Sequence, residues 1–323
     1  MHALSSVATG HFAVAAPARV LAGAPAAGPG HRPLCHPGPM TSLPADSHVH
    51  SEFSWDTGGP GSRASGTMEA TCARAVQLGL PGLFFTEHLD LEDAWFSDPE
   101  DFDDHEAHLL GADGVVAVPR FDVDGYLESI DRCRALFPQL RIGTGLEFGQ
   151  PHLRTEAARR QLDLTRFDRI IGSLHTLEFE GRRAEPNTLF RRLPADEVLR
   201  RYLAEVPALV AGDEPFEVVT HLDYAARYWP EEAEGPFDPR RFEDEFRGAM
   251  RAIAASGRAL EINTRRLRPW IPQWWAEEGG RAVSFGSDSH VPLTLAANFP
   301  EAIAMVEAWG FCPGTDPRDL WRR

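Results

Sequence analysis

The chain contains no lysine: all 32 of its basic residues are arginines, set against 48 Asp and Glu in 323 residues. Codon bias towards Arg and Ala accounts for the absence, but its chemical consequence holds regardless of cause. Every mechanism that needs a lysine, whether a Schiff base or a carboxylated-lysine metal bridge, is excluded. Cysteine is scarce too. Cys35, Cys72, Cys133 and Cys312 are far apart and form no C-x-x-C pair, which argues against a thiolate zinc site or a redox motif and for a reduced, cytoplasmic setting. No apolar run approaches the ~18 residues of a membrane-spanning helix. Positive charge is in deficit, with a net charge of −16. That balance argues against nucleic acid and anionic membranes as partners, both of which attract basic surfaces. An anionic small substrate stays open, because bound metal reverses the local sign.

Residues 1–44 are rich in Ala, Pro and Gly and lack apolar periodicity, the composition of a disordered tail. It reads poorly as a signal peptide, since no basic residue precedes its first apolar run. Met40 directly precedes the first folded-looking segment and is the expected true start. The remainder, residues 45–323, suits one large barrel of about 250 residues. Short apolar runs at 47–53, 82–88, 141–148, 169–177, 217–223, 258–263 and 282–288 read as strands. Between them, amphipathic patterns at 67–79, 122–137, 195–210 and 238–257 read as helices, with Gly79 and Gly257 as stops and Asp238-Pro239 as a start. Seven strands alternating with helices predict an α/β fold with a parallel sheet, closed into a barrel one unit short of (β/α)8. The stretch 92–121 carries nine acids against one arginine. It follows the second strand and reads either as a lid over the active face or as a solvated acidic loop.

Six of the seven strands end in a possible metal ligand: His48 and His50, His88, Glu147, His175, His221, and Asp288 with His290. The sixth strand ends in Glu261 and Asn263, which suit a supporting role. In a parallel barrel all strand C-termini open on one face. H-x-H and D-x-H each put two side chains on one side of a strand, because side chains alternate with period two. Of thirteen histidines, four lie in the tail, two in the acidic stretch and one opens a helix; the other six all sit at strand ends. The recurrence points to a multi-metal site, and a thiol-free set of imidazoles and carboxylates suits Zn, Mn or Fe.

The ordered motifs DSHVHSEFSWD, FTEH, GLEFG, GSLH, THLDYAARY, EINT and GSDSH resemble those of the PHP (polymerase and histidinol phosphatase) superfamily, on its histidinol-phosphatase branch, over about residues 46–310. The resemblance implies a distorted (β/α)7 TIM-like barrel, the PHP fold, holding two or three divalent metals. It implies a first metal on His48, His50, Glu147 and Asp288, with Glu147 bridging to a second on His175 and His221. A third would take His88, His290 and Asp56, the last standing where the superfamily often has histidine.

The implied reaction is hydrolysis of a small phosphate monoester, L-histidinol phosphate on this branch, with no nucleic acid or membrane partner expected. Arg227 is the first expected phosphate clamp and Arg268 the second, since a guanidinium fork matches two phosphate oxygens. The branch usually has a small-residue turn after EIN, where this chain reads TRRLRPW. Glu147 and Arg227 would act with Asp223, which either protonates the leaving alkoxide or orients His221. Alternatives in the sequence are a PHP phosphoesterase for a nucleotide or sugar phosphate, a carboxylate-bridged amidohydrolase-type barrel, and a non-catalytic metal-binding module. The oligomeric state leaves no mark.

Overall fold

Strands covered on both faces are mostly apolar, and here the buried polar exceptions include the residues that form the site. The computed structural model describes residues 43–57, 59 and 66–323. The tail up to residue 42, with the start expected at Met40, lies outside the described residues. The strands are β1 (Asp46–Val49), β2 (Gly82–Leu89), β3 (Arg141–Gly149), β4 (Arg169–Ser173), β5 (Leu177–Phe179), β6 (Arg182–Ala184), β7 (Val218–Val219), β8 (Ala259–Asn263), β9 (Ala282–Gly286) and β10 (Trp321–Arg322). All seven predicted strands are present. The predicted 169–177 strand stops at Ser173, and Leu177 opens a separate antiparallel hairpin, β5–β6, that carries the chain back over the barrel mouth.

One sheet runs β1-β2-β3-β4-β7-β8-β9-β10. Neighbours are parallel except β10, which pairs antiparallel with β9 at Trp321↔Val283 and Arg322↔Ala282. Beyond the end of β9 the barrel closes on β1. Val49 and Ser289 form a parallel bridge, His50 N–H donates to the Ser289 carbonyl at 2.9 Å, and Asp288 N–H donates to the His48 carbonyl at 2.8 Å. The sheet is thus a distorted seven-stranded parallel barrel with one antiparallel strand, absent from the sequence reading, filling the lower part of its seam.

The helices are α1 (Met68–Leu78), α2 (Val123–Leu136), α3 (Pro151–Gln161), α4 (Pro186–Leu189), α5 (Ala195–Leu209), α6 (Glu231–Glu234), α7 (Glu243–Ser256), α8 (Trp270–Glu277) and α9 (Phe299–Glu307). Their ends follow capping chemistry. Thr67 and Asp122 accept from the Ala70 and Gly125 amides, and Gly79 and Gly257 close α1 and α7 at φ 70° and 81°. The predicted 238–257 helix divides in two. Asp238 and Pro239 start a 3-10 turn that ends at Phe242, whose φ of −129° is not helical, and α7 begins after it. α7 buries Phe246, Ala249, Met250 and Ile253, one helical stripe. Among the described residues no helix is long and apolar enough to cross a membrane.

Ile171, Val218, Ala259 and Ala282 lie at one level across four adjacent strands and pack together as a small apolar plug. Glu261 and Ser284, two residues further along β8 and β9, share that face one layer nearer the mouth. Apolar side chains therefore floor the barrel, and titratable ones ring its opening. Tyr126 of α2 ties the outside of the sheet: its hydroxyl donates to the Phe85 carbonyl at 2.8 Å and accepts from the Gly145 amide at 2.9 Å. Tyr126→Phe strands both buried backbone groups and should lower stability by about 1–3 kcal/mol, read as a shifted chemical-denaturation midpoint; an unshifted midpoint would contradict that role.

Candidate metal centre

Parallel register sets the site. His88 and Glu147 are direct neighbours across β2 and β3. The barrel seam brings His48 and His50 of the first segment beside Asp288 and His290 of the last. Glu147 stands at the centre. Its Oε2 lies 3.2 Å from His48 Nε2, 3.4 Å from His50 Nε2 and 3.1 Å from His88 Nδ1. Its Oε1 lies 3.1 Å from His175 Nε2 and 2.8 Å from His221 Nε2. One carboxylate thus faces five imidazoles. Asp288 Oδ1 lies 3.7 and 3.6 Å from the Nε2 atoms of His48 and His50. Asp56 Oδ2 sits 3.3 Å from His88 Nε2 and 2.7 Å from His290 Nε2.

These contacts have the form of a ligand cage. Glu147 Oε2 is buried and close to three ring nitrogens, yet it makes no aligned hydrogen bond to any of them. The Nε2 atoms of His48 and His50 face one another at 3.0 Å. The far side of each ring explains why. His48 Nδ1 lies 2.6 Å from Glu261 Oε2, and His175 Nδ1 lies 3.1 Å from Asp90 Oδ1. His50 Nδ1 lies 2.8 Å from Ser54 Oγ, which donates its own proton to Glu87 at 2.7 Å. Ser54 must then accept from His50. In His48, His50 and His175 the Nδ1 carries the proton and the Nε2 lone pair points inward, the arrangement that metal-binding histidines require; His88 instead turns its Nδ1 to Glu147 and its Nε2 to Asp56. Of five His/Asp/Glu triads close enough to hold an ion among the described residues, four are at this mouth: His48/His50/Asp288, His48/Glu147/His221, His88/Glu147/His175 and His50/His88/His290. The residues fit divalent metals.

Electrostatics follow from packing charges into a dry mouth. Burial alone would raise the Glu147 carboxyl, but His48, His175 and His88 outweigh it and hold it well below the usual carboxylate range. Burial alone would lower His48, yet Glu261, Glu147 and Asp288 keep it well above normal. His50 goes the other way, down to about 4, through burial and the neighbouring His290 and His88. Asp288 adopts φ +52°, a left-handed conformation that costs a non-glycine residue energy and marks functional sites. Two glycines give the supporting pairs room. A Cβ on Gly149 would lie 1.9 Å from Asp90 Oδ1, and one on Gly286 would lie 2.6 Å from both Glu261 Oε2 and His48 Cβ.

A cavity of about 250 Å³ opens over this cluster. Arg227 lines it, with its Nη1 2.8 Å from Asp288 Oδ2; its Nε and Nη2 are buried without hydrogen-bond partners. Arg268 and Asp223 do not line it. They pair with each other at 3.3 Å, and the His221 Nδ1 contact is Thr220 Oγ1 at 3.3 Å. The arginine that reaches the cavity from the TRRLRPW stretch is Arg265, whose Nη1 donates to the Asp288 carbonyl at 3.3 Å. The acidic stretch forms a wall of the site: Trp95, Ser97, Asp101, Phe102 and Glu106 line the cavity. Two of its acids are tied down, Asp98 to Arg191 and Arg192, and Asp101 to Arg191.

Sequence reasoning passed over Asp90, Glu87, Arg265 and Glu185. Asp90 carried a usable signal, standing two residues after His88 on the same strand face. Glu87 faces away from the mouth and reaches His50 only through Ser54, so nothing in its spacing marks it.

The sequence model of the PHP domain family matches residues 46–265. A histidinol-phosphatase of Lactococcus lactis is 26% identical over 279 residues, 82% of this chain and 91% of its own length. A probable histidinol-phosphatase of Clostridium acetobutylicum is 26% identical over 273 residues, 81% of this chain and 92% of its own length. Among solved structures, the Lactococcus lactis histidinol phosphate phosphatase, complexed with Zn, L-histidinol and phosphate, superposes with a TM-score of 0.63 at 24% identity. It covers 84% of this chain and 95% of that one.

Removing the carboxylate behind His48 tests the supporting layer. Glu261→Ala should weaken divalent-metal affinity roughly 10–100-fold, measured by titrating metal-stripped protein with Zn²⁺ against a chromophoric chelator. Unaltered affinity in a folded variant would contradict the assignment.

Proposed function

The chain belongs to the PHP domain family, and from that premise we propose that it is a metal-dependent phosphatase hydrolysing L-histidinol phosphate to L-histidinol and phosphate. The observation that carries this reading is one cavity shared by a carboxylate–imidazole cage and the unpartnered edge of the buried Arg227 guanidinium. The names of the relatives matched over most of their length, and the L-histidinol and phosphate in the Lactococcus structure, support it.

We assign two or three divalent ions, Zn, Mn or Fe, to the cage: His48, His50 and Asp288 for one, His175 and His221 for another, with Glu147 between them. His88, His290 and Asp56 make the third set. Divalent metals in such a cage lower the pKa of water and neutralise phosphoryl oxygens. The protein's own contribution is positioning. Arg227 offers Nε and Nη2 as two parallel donors to phosphoryl oxygens, with Nη1 anchored on Asp288. Arg265 supplies a second positive charge from the turn after the neighbouring strand, β8. Asp223 and Arg268 act from behind, since the Asp223 charge faces Arg227. The aromatic wall from Trp55, Trp95 and Phe102 narrows the entrance and limits water. We assign the reaction to the cytoplasm on the sequence reading alone.

The deciding experiment is phosphate release from L-histidinol phosphate, a nucleotide monophosphate and a sugar phosphate, before and after chelation and with Mn²⁺ or Zn²⁺ restored. L-Histidinol phosphate should be preferred, and turnover should vanish on chelation and return with metal. Preference for another ester, or turnover that survives chelation, would defeat the reading. Arg227→Gln should cut kcat/KM about 10–100-fold, as expected for losing a charge-assisted bidentate contact. A loss under threefold would remove Arg227 from the clamp.

A further inference from the structure

Six acids line the cavity: Asp56, Asp101, Glu106, Glu147, Glu185 and Asp288. Five of them have a nearby base. Asp56 faces His88 and His290, Asp101 faces Arg191, Glu147 faces the imidazole ring, and Asp288 faces Arg227. Glu106 caps the Asp103 amide and lies 3.9 Å from His105. Among the described residues Glu185 has no ion-pair partner. It precedes α4 as its N-cap, but its side chain makes no capping bond there. Burial pushes its carboxyl up to about 7, with His175 pulling it down and Asp90 and Asp101 raising it further. An unpaired carboxylate in a substrate cavity costs free energy until a cation meets it.

Tyr224 sets the distance between the two ends of the cavity. Its ring lies against His175 and His221, with centroids 5.3 and 5.0 Å away, and the Arg227 guanidinium carbon sits 5.5 Å from its centroid. Glu185 lies close enough to the same tyrosine for their charges to interact, and both line the cavity. A phosphate-binding group and a carboxylate therefore flank one tyrosine side chain. Tyr228, packed edge-on to Tyr224 at 5.4 Å, and Trp55 present ring faces and edges beside the same space. Rings next to an uncompensated carboxylate suit an organic cation.

We infer that Glu185 is a specificity-determining residue that binds the primary ammonium group of an aminoalkyl phosphate monoester while Arg227 and the metal cage hold the phosphoryl group. This rests on the phosphatase reading above and names the group that recognises the amine. The arrangement rejects esters lacking the cation, because without it the cavity carboxylate keeps no ion-pair partner. Discrimination by a charged partner exceeds what apolar fit alone supplies.

The test compares L-histidinol phosphate with its deamino analogue, 3-(imidazol-4-yl)propyl phosphate, in the wild type and in Glu185→Gln. The wild type should favour the amine by at least about tenfold in kcat/KM, expressed in KM more than in kcat. In Glu185→Gln the preference should fall to within about threefold. Turnover of p-nitrophenyl phosphate reports whether each protein has assembled its site. A wild-type preference below threefold overturns the inference without any variant. Equal losses on both esters in Glu185→Gln overturn it too, since the carboxylate would then serve the imidazole or the fold. If the wild type turns over p-nitrophenyl phosphate but not L-histidinol phosphate, the substrate reading itself fails and the inference falls with it. If it turns over L-histidinol phosphate with a preference that Glu185→Gln leaves intact, only the inference fails.

Discussion

A single buried carboxylate, Glu147, has to be neutralised at the mouth of a barrel that gives it almost no water. Its two oxygens face five imidazoles, from β1, β2 and the ends of β4 and β7, together with those strands' following turns. In a dry site a charge must be matched or removed. The chain matches it with rings whose lone pairs point inward, and such rings suit cations better than they suit each other. The rest of the site follows. Glu261, Asp90 and the Ser54–Glu87 pair hold the Nδ1 protons outward, Gly149 and Gly286 clear space for those partners, and the strained Asp288 backbone turns one more carboxylate towards the same point.

Above this centre the cavity is asymmetric in charge. Arginines at 227 and 265 stand over the cage, and the acidic stretch, with Glu185 and Asn187 after β6, lines another wall. Two of the wall's acids are spent on Arg191 and Arg192. The stretch is anchored at Asp98 and Asp101 and presents aromatic rings to the cavity, while Asp93, Glu100, Asp103, Asp104 and Asp113 face solvent. Catalysis by bound metal and arginine is general for phosphate esters, so selectivity has to arise in this wall.

Much of this was legible in the sequence. The seven strands were visible as short, largely apolar runs, and their helices by amphipathic period with stops at Gly79 and Gly257 and a start at Asp238-Pro239. Eight of the residues gathered at the mouth were legible because barrel geometry makes the end of a strand a fixed place, so that His48 and Asp288 meet though 240 positions apart in the chain; Asp56 was suggested only by the family resemblance. Strand β10 and the hairpin were not, since a two- or three-residue strand has no period to read.

Composition and strand-end spacing by themselves determined the fold class, the imidazole–carboxylate centre and the exclusion of lysine chemistry. Those depend on local pattern and on a rule that holds for every parallel barrel. Which arginine reaches the cavity was decided only by tertiary structure: Arg268 is drawn to Asp223 while Arg265, three residues earlier, turns in. The same is true of Glu87, Asp90 and Glu185. Whether an acid is a support, an ion-pair partner or an unpaired charge depends on what lies within about 4 Å of it, and those neighbours come from segments that no sequence window contains.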